Sequence, residues 1–454
     1  MDDLLRMTSE RATRYLAGLA DRRVGPSAEA IDGLHALGGL FPEHSTDPAA
    51  VLALLDDAGS PATVASAGGR YFGFVTGGSL PAALAANWLA GAWDQNCAFA
   101  VMSPVGAALE EIALDWLRDV LQLPAGCGGG FVTGATMANF TAVVAARHAL
   151  LDRAGWDVEA DGLFGAPPIT VIVGAEVHVS LLKALGLAGF GRTRIVTVPA
   201  DEQGRMRADA LPPLSGPTIV CIQAGNVNTG AFDPAGAICA AAHQAGAWVH
   251  VDGAFGLWAA AAPERAHLAA GLSDADSWAT DAHKWLNVPY DSGLAFVRDP
   301  APLRAAMALS AAYLQESDER EPHYGTPEAS RRARGVDIWA ALRSLGRAGL
   351  ADLIERNCRS ATRFADGLRA AGYQILNDVT LNQVLVSFGD AERTRRVVAA
   401  VQADGTCWCG STVWHGQTAM RISVSSWATT DDDVERSLGA ILRIASNEQC
   451  GQRR

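Results

Sequence analysis

From residue 128 onwards the apolar positions gather into short runs: "GGGFVTG", "ITVIVGAE", "TRIVTVP", "TIVCIQAG" and "AWVHVDGA". Each holds a few consecutive side chains, many of them β-branched, and a run that is apolar on both faces suits a strand buried inside a parallel sheet. Between these runs, and just ahead of them, the apolar spacing widens to that of one helix face. The segments are "SPVGAALEEIALDWLRDVLQL", "MANFTAVVAARHALL" and "AGAICAAAHQAG", and their three-and-four spacing predicts helices. Alternation of this kind predicts an α/β unit with a mostly parallel sheet, and such sheets gather ligands at the carboxyl ends of their strands.

The flanks carry a different rhythm. "DDLLRMTSERATRYLAGLA" has helical spacing, and "DPAAVLALLDDAG" opens on Asp47, a residue able to cap its own helix. Towards the end come a long helical stretch, "GLADLIERNCRSATRFADGLRAAG", and the strands "LNQVLVSFG" and "TAMRISVSS" separated by the helix "AERTRRVVAAVQADG". A last helix begins near "TTDDDVERSLGAILRIA", where Thr429 or Thr430 and the acids behind it suit a helix amino end. The expected division is a helical N-terminal arm over residues 1–68, a large α/β domain over 69–335, and a small α+β domain over 336–454.

Composition narrows the function. At 454 residues the chain exceeds a single core, and 49% hydrophobic with 19% charged residues is ordinary for a globular protein. No apolar run reaches the ~18 residues of a membrane span, so no membrane partner is expected. The start "MDDLLRMTSERATRYL" is acidic where a secretory signal is basic, which makes the cytoplasm the expected location. A net charge of −13 offers no basic field for nucleic acid, leaving small molecules as the expected partners. The eight cysteines lack the paired spacing of a zinc site, and even "CWC" at 407–409 reads as buried free thiols. No metal is expected.

Four loops after predicted strands hold residues that can do chemistry. In "FVTGATMAN", Gly134 permits close backbone approach, and Ala135 and Thr136 open a helix whose free N–H groups suit a phosphate. His178 follows "ITVIVGA", and Asp252 ends the strand in "HVDGAFG" beside the small Gly253 and Ala254, which leave room for something flat. A buried carboxylate of this kind needs a cationic or donor partner. Lys284 lies in "SWATDAHKWLN", where lining by Trp278 and Trp285 would lower its pKa and free the amine for a Schiff base. A phosphate cradle, an aspartate for a ring nitrogen, an imidazole to stack and a lysine amine are together what pyridoxal 5'-phosphate requires.

The order "TGATMAN", His178, "HVDGAFG", "DAHKW" resembles the group II pyridoxal-phosphate-dependent amino-acid decarboxylases, including the aromatic-L-amino-acid decarboxylases. The likeness runs from about "GGRYFGFVTGG" at 68 to "MRISVSSW" near 427. It implies fold type I, the aspartate aminotransferase-like architecture with a seven-stranded sheet, and a homodimer with its active site at the interface. It further implies that Lys284 holds the cofactor, Asp252 keeps its pyridine nitrogen protonated, Ala254 packs on one ring face and His178 stacks on the other. Gly134, Ala135 and Thr136 would bind the phosphate, with His283 close by.

A proton must then reach the carbanion left by CO2, and the resemblance implies a loop tyrosine, here Tyr324 in "EPHYGTPEAS", behind an exposed, charge-rich 316–322. Two departures stand out. Asn226 replaces the first Thr of a Gly-Thr-Thr stretch and is expected to hydrogen-bond the cofactor's phenolic oxygen or the substrate carboxylate. Asp281 stands where some relatives have Asn, and a carboxylate would repel the phosphate, so it is expected to turn away and bond backbone. In "RYFGFVTGGSLPAALAANWLAGAWDQN" the resemblance implies a substrate strip, with Phe74, Val75 and Thr76 lining the side-chain pocket and Trp93 and Asn96 near its floor. Arg70 is the strip's only cation, so an aromatic or otherwise apolar L-amino acid is favoured over an acidic one. The expected reaction is decarboxylation to the amine. A pyridoxal-phosphate-dependent aldehyde synthase or other carbon-carbon lyase is the alternative, and a non-catalytic homologue would have lost one of Lys284, Asp252 or His178.

Overall fold

The computed structural model describes residues 1–309 and 320–450. They form two compact units, one of residues 1–76, 363–376 and 385–454, the other of 77–362 and 377–384.

The second unit is built on a seven-stranded sheet: β1 (Gly128–Val132), β2 (Thr170–Gly174), β3 (Val196–Val198), β4 (Thr218–Gln223), β5 (Trp248–Asp252), β6 (Ser277–Asp281) and β7 (Gly293–Val297). The order is β1-β7-β6-β5-β4-β2-β3, with β7 antiparallel to both neighbours and β2 through β6 paired in parallel. β4 through β7 are buried at every position, as continuous apolar runs covered on both faces must be. Helix Ala135–Arg153 is buried nearly all round and packs on β6 and β7, so it is an inner helix without a polar face. Helix Pro104–Val120 starts with Ser103 accepting from the Gly106 N–H at 3.2 Å. It buries one stripe, Gly106, Glu110, Ala113, Leu114, Leu117 and Val120, in which each leucine stabilises by about 2 kcal/mol relative to exposure. Its Glu110 is paired inside the protein with Arg331.

The first unit holds the helices Asp2–Ala17, Ala28–Gly33 and Pro48–Ala62, none of which buries a residue, and the C-terminal helices Ala391–Asp404 and Asp431–Cys450. A second sheet runs β10-β11-β9-β8, with β8 at Gln374–Ile375, β9 at Gln383–Ser387, β10 at Gly410–Trp414 and β11 at Gln417–Ser423. The preceding long helix, Arg334–Ala370, is broken at Gly346, where φ is +58°, a conformation natural only to glycine. Arg70 is a staple of this unit. Its guanidinium is buried and donates to the carbonyls of Ala20 at 2.8 Å, Arg22 at 3.0 Å and Thr406, with Asp433 at 3.6 Å. The seven cysteines among the described residues with placed side chains are buried free thiols. No helix among the described residues is long and apolar enough to cross a membrane.

Candidate active site

Parallel pairing brings the carboxyl ends of β2, β4, β5 and β6 to one edge, and a recess opens there, lined by His178, Gln223, Gly225, Val227, Asp252, Ala254, Phe255 and Lys284. Asp252 is buried at the end of β5. Its Oδ1 accepts from the Ala254 N–H at 3.3 Å and its Oδ2 from Asn139 Nδ2 at 3.2 Å. Burial pushes this carboxyl up, while His178 when protonated, the charge of Lys284 and the two hydrogen bonds pull it back. His178 is the N-cap of helix Val179–Leu187, its Nδ1 accepting from the Ser180 N–H at 3.3 Å. A neutral imidazole bonded in this way carries its proton on Nε2.

At the other end of the recess Lys284 Nζ lies 3.1 Å from Asp281 Oδ2. Asp281 Oδ1 accepts from the Ala135 N–H at 2.5 Å, the first amide of a 19-residue helix whose N-cap, Gly134, offers no side chain. Asp281 does bond backbone, as expected, but it turns towards the helix end where an anion would sit, and the reason is the helix's uncapped positive end. His283 adds a donor there. Its Nδ1 accepts from the Ser292 N–H at 3.0 Å, so its proton rests on Nε2, 3.5 Å from Asp281 Oδ1. Burial lowers the His283 pKa, and its ring stacks on Tyr290 with centroids 4.4 Å apart. A Cβ on Gly293 would overlap the Gly134 backbone, so these two glycines let β7 and the phosphate-type loop meet main chain to main chain.

Several expected site residues lie elsewhere. Trp278 and Trp285 are fully buried in the core, their indoles donating to Leu272 O at 2.8 Å and Asn357 Oδ1 at 2.9 Å, and do not line the recess. Asn226 spends its side chain on its own loop, its Oδ1 accepting from the amides of Asn228 and Thr229 and its Nδ2 donating to Gln223. Tyr324 sits on the turn Pro322–Gly325 beside Gly128, Gly129 and Pro300. That is the amino end of β1, the far edge from Lys284, and there Arg304 donates to the Tyr324 hydroxyl at 3.2 Å. Of the expected exposed stretch 316–322, residues 316–319 lie outside the described residues, and Pro322 is buried. Asn96 bonds Ser330 and the amides of Ala98 and Arg331, while Trp93 ends helix Pro81–Trp93 half in solvent. Neither lines the recess. In the first unit, Phe74 and Val75 both have positive φ, +54° and +57°, and Phe74 stacks on Trp408 with centroids 5.4 Å apart. Val75 and Thr76 are buried.

Gln223, Gly225, Val227 and Phe255 were not anticipated, nor was Asn139 behind Asp252. Strand order would have suggested Gln223, the last residue of β4 and the register partner of Asp252.

A lysine amine, a carboxylate buried with donors at its back, an imidazole N–H and an uncapped helix end belong to one class, the pyridoxal-phosphate enzymes, and this donor set fits that cofactor. Residues 64–389 match the family model of the pyridoxal-dependent decarboxylase conserved domain, and the chain belongs to this family. It is a pyridoxal-phosphate-dependent carboxy-lyase acting on amino acids. Tryptophan decarboxylase 1 of Oryza sativa subsp. japonica is 29% identical over 84% of this chain and 80% of its own. Phenylacetaldehyde synthase of Petunia hybrida is 28% identical over 59% of this chain and 55% of its own. The crystal structure of Oryza sativa TDC with PLP and tryptamine superposes with a TM-score of 0.90 at 24% identity, covering 98% of this chain and 97% of that one, and confirms the fold.

Proposed function

We propose that this enzyme converts an aromatic or otherwise apolar L-amino acid to its amine and CO2, working as a homodimer. The observation that carries the assignment of roles is the meeting of Lys284, Asp252, His178 and Ala254 around one recess. When bound, pyridoxal phosphate supplies an electron sink for the carbanion left by CO2. Lys284 would hold it through the amine. Asp252 would accept a hydrogen bond from its ring nitrogen and keep the proton there. Ala254 would support one ring face and His178 the other. His283 Nε2–H and the amides that open helix Ala135–Arg153, with Thr136, would hold the phosphate.

An apolar substrate is supported by Arg70, the strip's cation, which is committed to carbonyls of its own unit and leaves no charge there for a second carboxylate. Relatives named for tryptophan and phenylacetaldehyde point the same way. The dimer is supported by apolar side chains left uncovered: Leu40 and Phe41 are 97% and 94% exposed, and Leu54, Leu55, Trp88 and Leu89 are also exposed. Solvent-facing apolar groups in such number suit an interface that a second copy covers. Tyr324, at the far edge of its own sheet, enters this reading as proton donor only from that second copy.

A second reading, oxidative aldehyde formation, is favoured by one observation: among the described residues, none of those lining the recess is a tyrosine. A product screen separates the two. The cofactor-loaded enzyme is given each common L-amino acid, and amine, CO2, aldehyde and peroxide are read together. Amine from tryptophan, tyrosine or phenylalanine supports the main reading, aldehyde with peroxide selects the second, and CO2 released only from acidic amino acids would sink the substrate assignment.

A further inference from the structure

Behind Asp252 runs a line of buried polar groups that no step above uses. Asn139 Nδ2 donates to Asp252 Oδ2 at 3.2 Å. Asn139 Oδ1 lies 2.8 Å from His250 Nε2, His250 Nδ1 lies 2.9 Å from Ser277 Oγ, and Trp248 Nε1 donates to Ser277 Oγ at 2.9 Å. Asn139, His250 and Ser277 are 0% exposed and Trp248 only 7%, so no water competes. The fold builds the line from neighbours. His250 and Asp252 are two residues apart on β5 and share a face, His250 is the register partner of Ser277 on β6, and Asn139 lies one turn into the helix that opens at Ala135.

One polarity satisfies every link and leaves the carboxylate a donor. An indole N–H can only donate, so Ser277 Oγ accepts from Trp248 and has its own proton to give to His250 Nδ1. The imidazole is neutral, its pKa lowered by burial to about 3, so with Nδ1 accepting, its proton is on Nε2 and points at Asn139 Oδ1. That fixes the amide orientation, and Nδ2–H faces the carboxylate. An amide NH2 cannot accept, so a proton on Asp252 Oδ2 would have no partner, and the ionised form is favoured.

Resting on the cofactor assignment of the proposed function, we infer that Trp248, Ser277, His250 and Asn139 are positioning residues that hold Asp252 as a carboxylate, and so hold the proton on the cofactor's ring nitrogen. Removing the Ser277 hydroxyl releases His250 from its tautomer. The other tautomer turns Asn139 over and aims its Oδ1 at Asp252, where two acceptors repel until the carboxyl takes up the proton.

The test is Ser277→Ala, with Trp248→Phe as a second cut at the far end, each loaded with pyridoxal phosphate isotopically labelled at the ring nitrogen and followed by nitrogen NMR. The expected result is a full complement of cofactor, a ring-nitrogen resonance displaced towards that of unprotonated pyridine, and kcat lower by roughly tenfold, the scale of one buried hydrogen bond, with KM within about twofold. A wild-type resonance and wild-type kcat in whichever variant folds would overturn the inference and leave the cofactor site standing. A wild-type enzyme that takes up no cofactor, or a Lys284→Ala variant that keeps the visible absorption band, would overturn the functional reading, and this inference with it.

Discussion

Gly77 lies against the backbone of Lys284 so closely that a Cβ at residue 77 would overlap the Lys284 carbonyl oxygen. The contact is clamped by Asn287, whose Oδ1 accepts from the Gly78 N–H at 2.6 Å and whose own carbonyl accepts from the Leu80 N–H at 2.8 Å. Asn287 itself has φ of +57°, which Asn tolerates better than most residues. The segment after the aromatic strip therefore sets the height of the lysine loop.

Gly77→Ala is expected to push that loop away, destabilising the fold by about 1–3 kcal/mol, the usual range for overpacking. Cofactor occupancy should fall more than the thermal midpoint does. Spectrophotometric cofactor content beside a melting curve checks this, and equal, full occupancy would mean that the loop is not held in this way.

Asp281 holds both the Ala135 amide and the Lys284 amine, and its charge would oppose a phosphate bound at that helix end. Asp281→Asn keeps an oxygen for the Ala135 N–H and removes the charge. Cofactor affinity should rise by roughly tenfold, a modest part of the repulsion between charges a few ångströms apart near a protein surface. Equilibrium dialysis measures the dissociation constant, and an unchanged or weakened constant would show that Asp281 serves lysine placement alone.

Active sites shared across a dimer can be tested by mixing. Lys284→Ala and Tyr324→Phe chains are each expected to lose amine formation. Co-expressed, half of randomly paired dimers would hold one intact site, and about a quarter of wild-type activity should return. No recovery would remove Tyr324 from the mechanism.

Asp233 is buried and accepts from the Met206 and Gln223 amides, each at 2.7 Å. Burial pushes its carboxyl up from 3.8 to about 6, against the downward pull of those two hydrogen bonds. The folded state therefore binds the proton more tightly than the unfolded chain. The stability it contributes is full below about pH 4 and is lost as the pH rises through about 6. Relative to Asp233→Asn, the wild type should lose about 2 kcal/mol between pH 4.5 and 7.5. Urea midpoints at the two pH values check this, and parallel pH dependence in both proteins would contradict it.

Much of the site was legible along the chain because strand ends announce themselves. Gly134, Ala135, His178, Asp252 and Lys284 each follow an apolar run, and a parallel sheet must bring such positions to one edge. His250 was equally visible, two residues before Asp252, although nothing local said that Asn139 and Ser277 would complete its line. The partners that polar side chains take were not legible in the sequence. Asn226 turned back to its own loop amides, Arg70 to carbonyls of residues far along the chain, and Tyr324 to Arg304. Local residue order thus determined the elements, the cofactor class and the candidate residues at the recess, because those depend on periodicity and on which residue follows each strand. The tertiary structure decided which polar atoms remain free to face the recess, because a buried donor or acceptor must find a partner and that partner can lie anywhere in the chain.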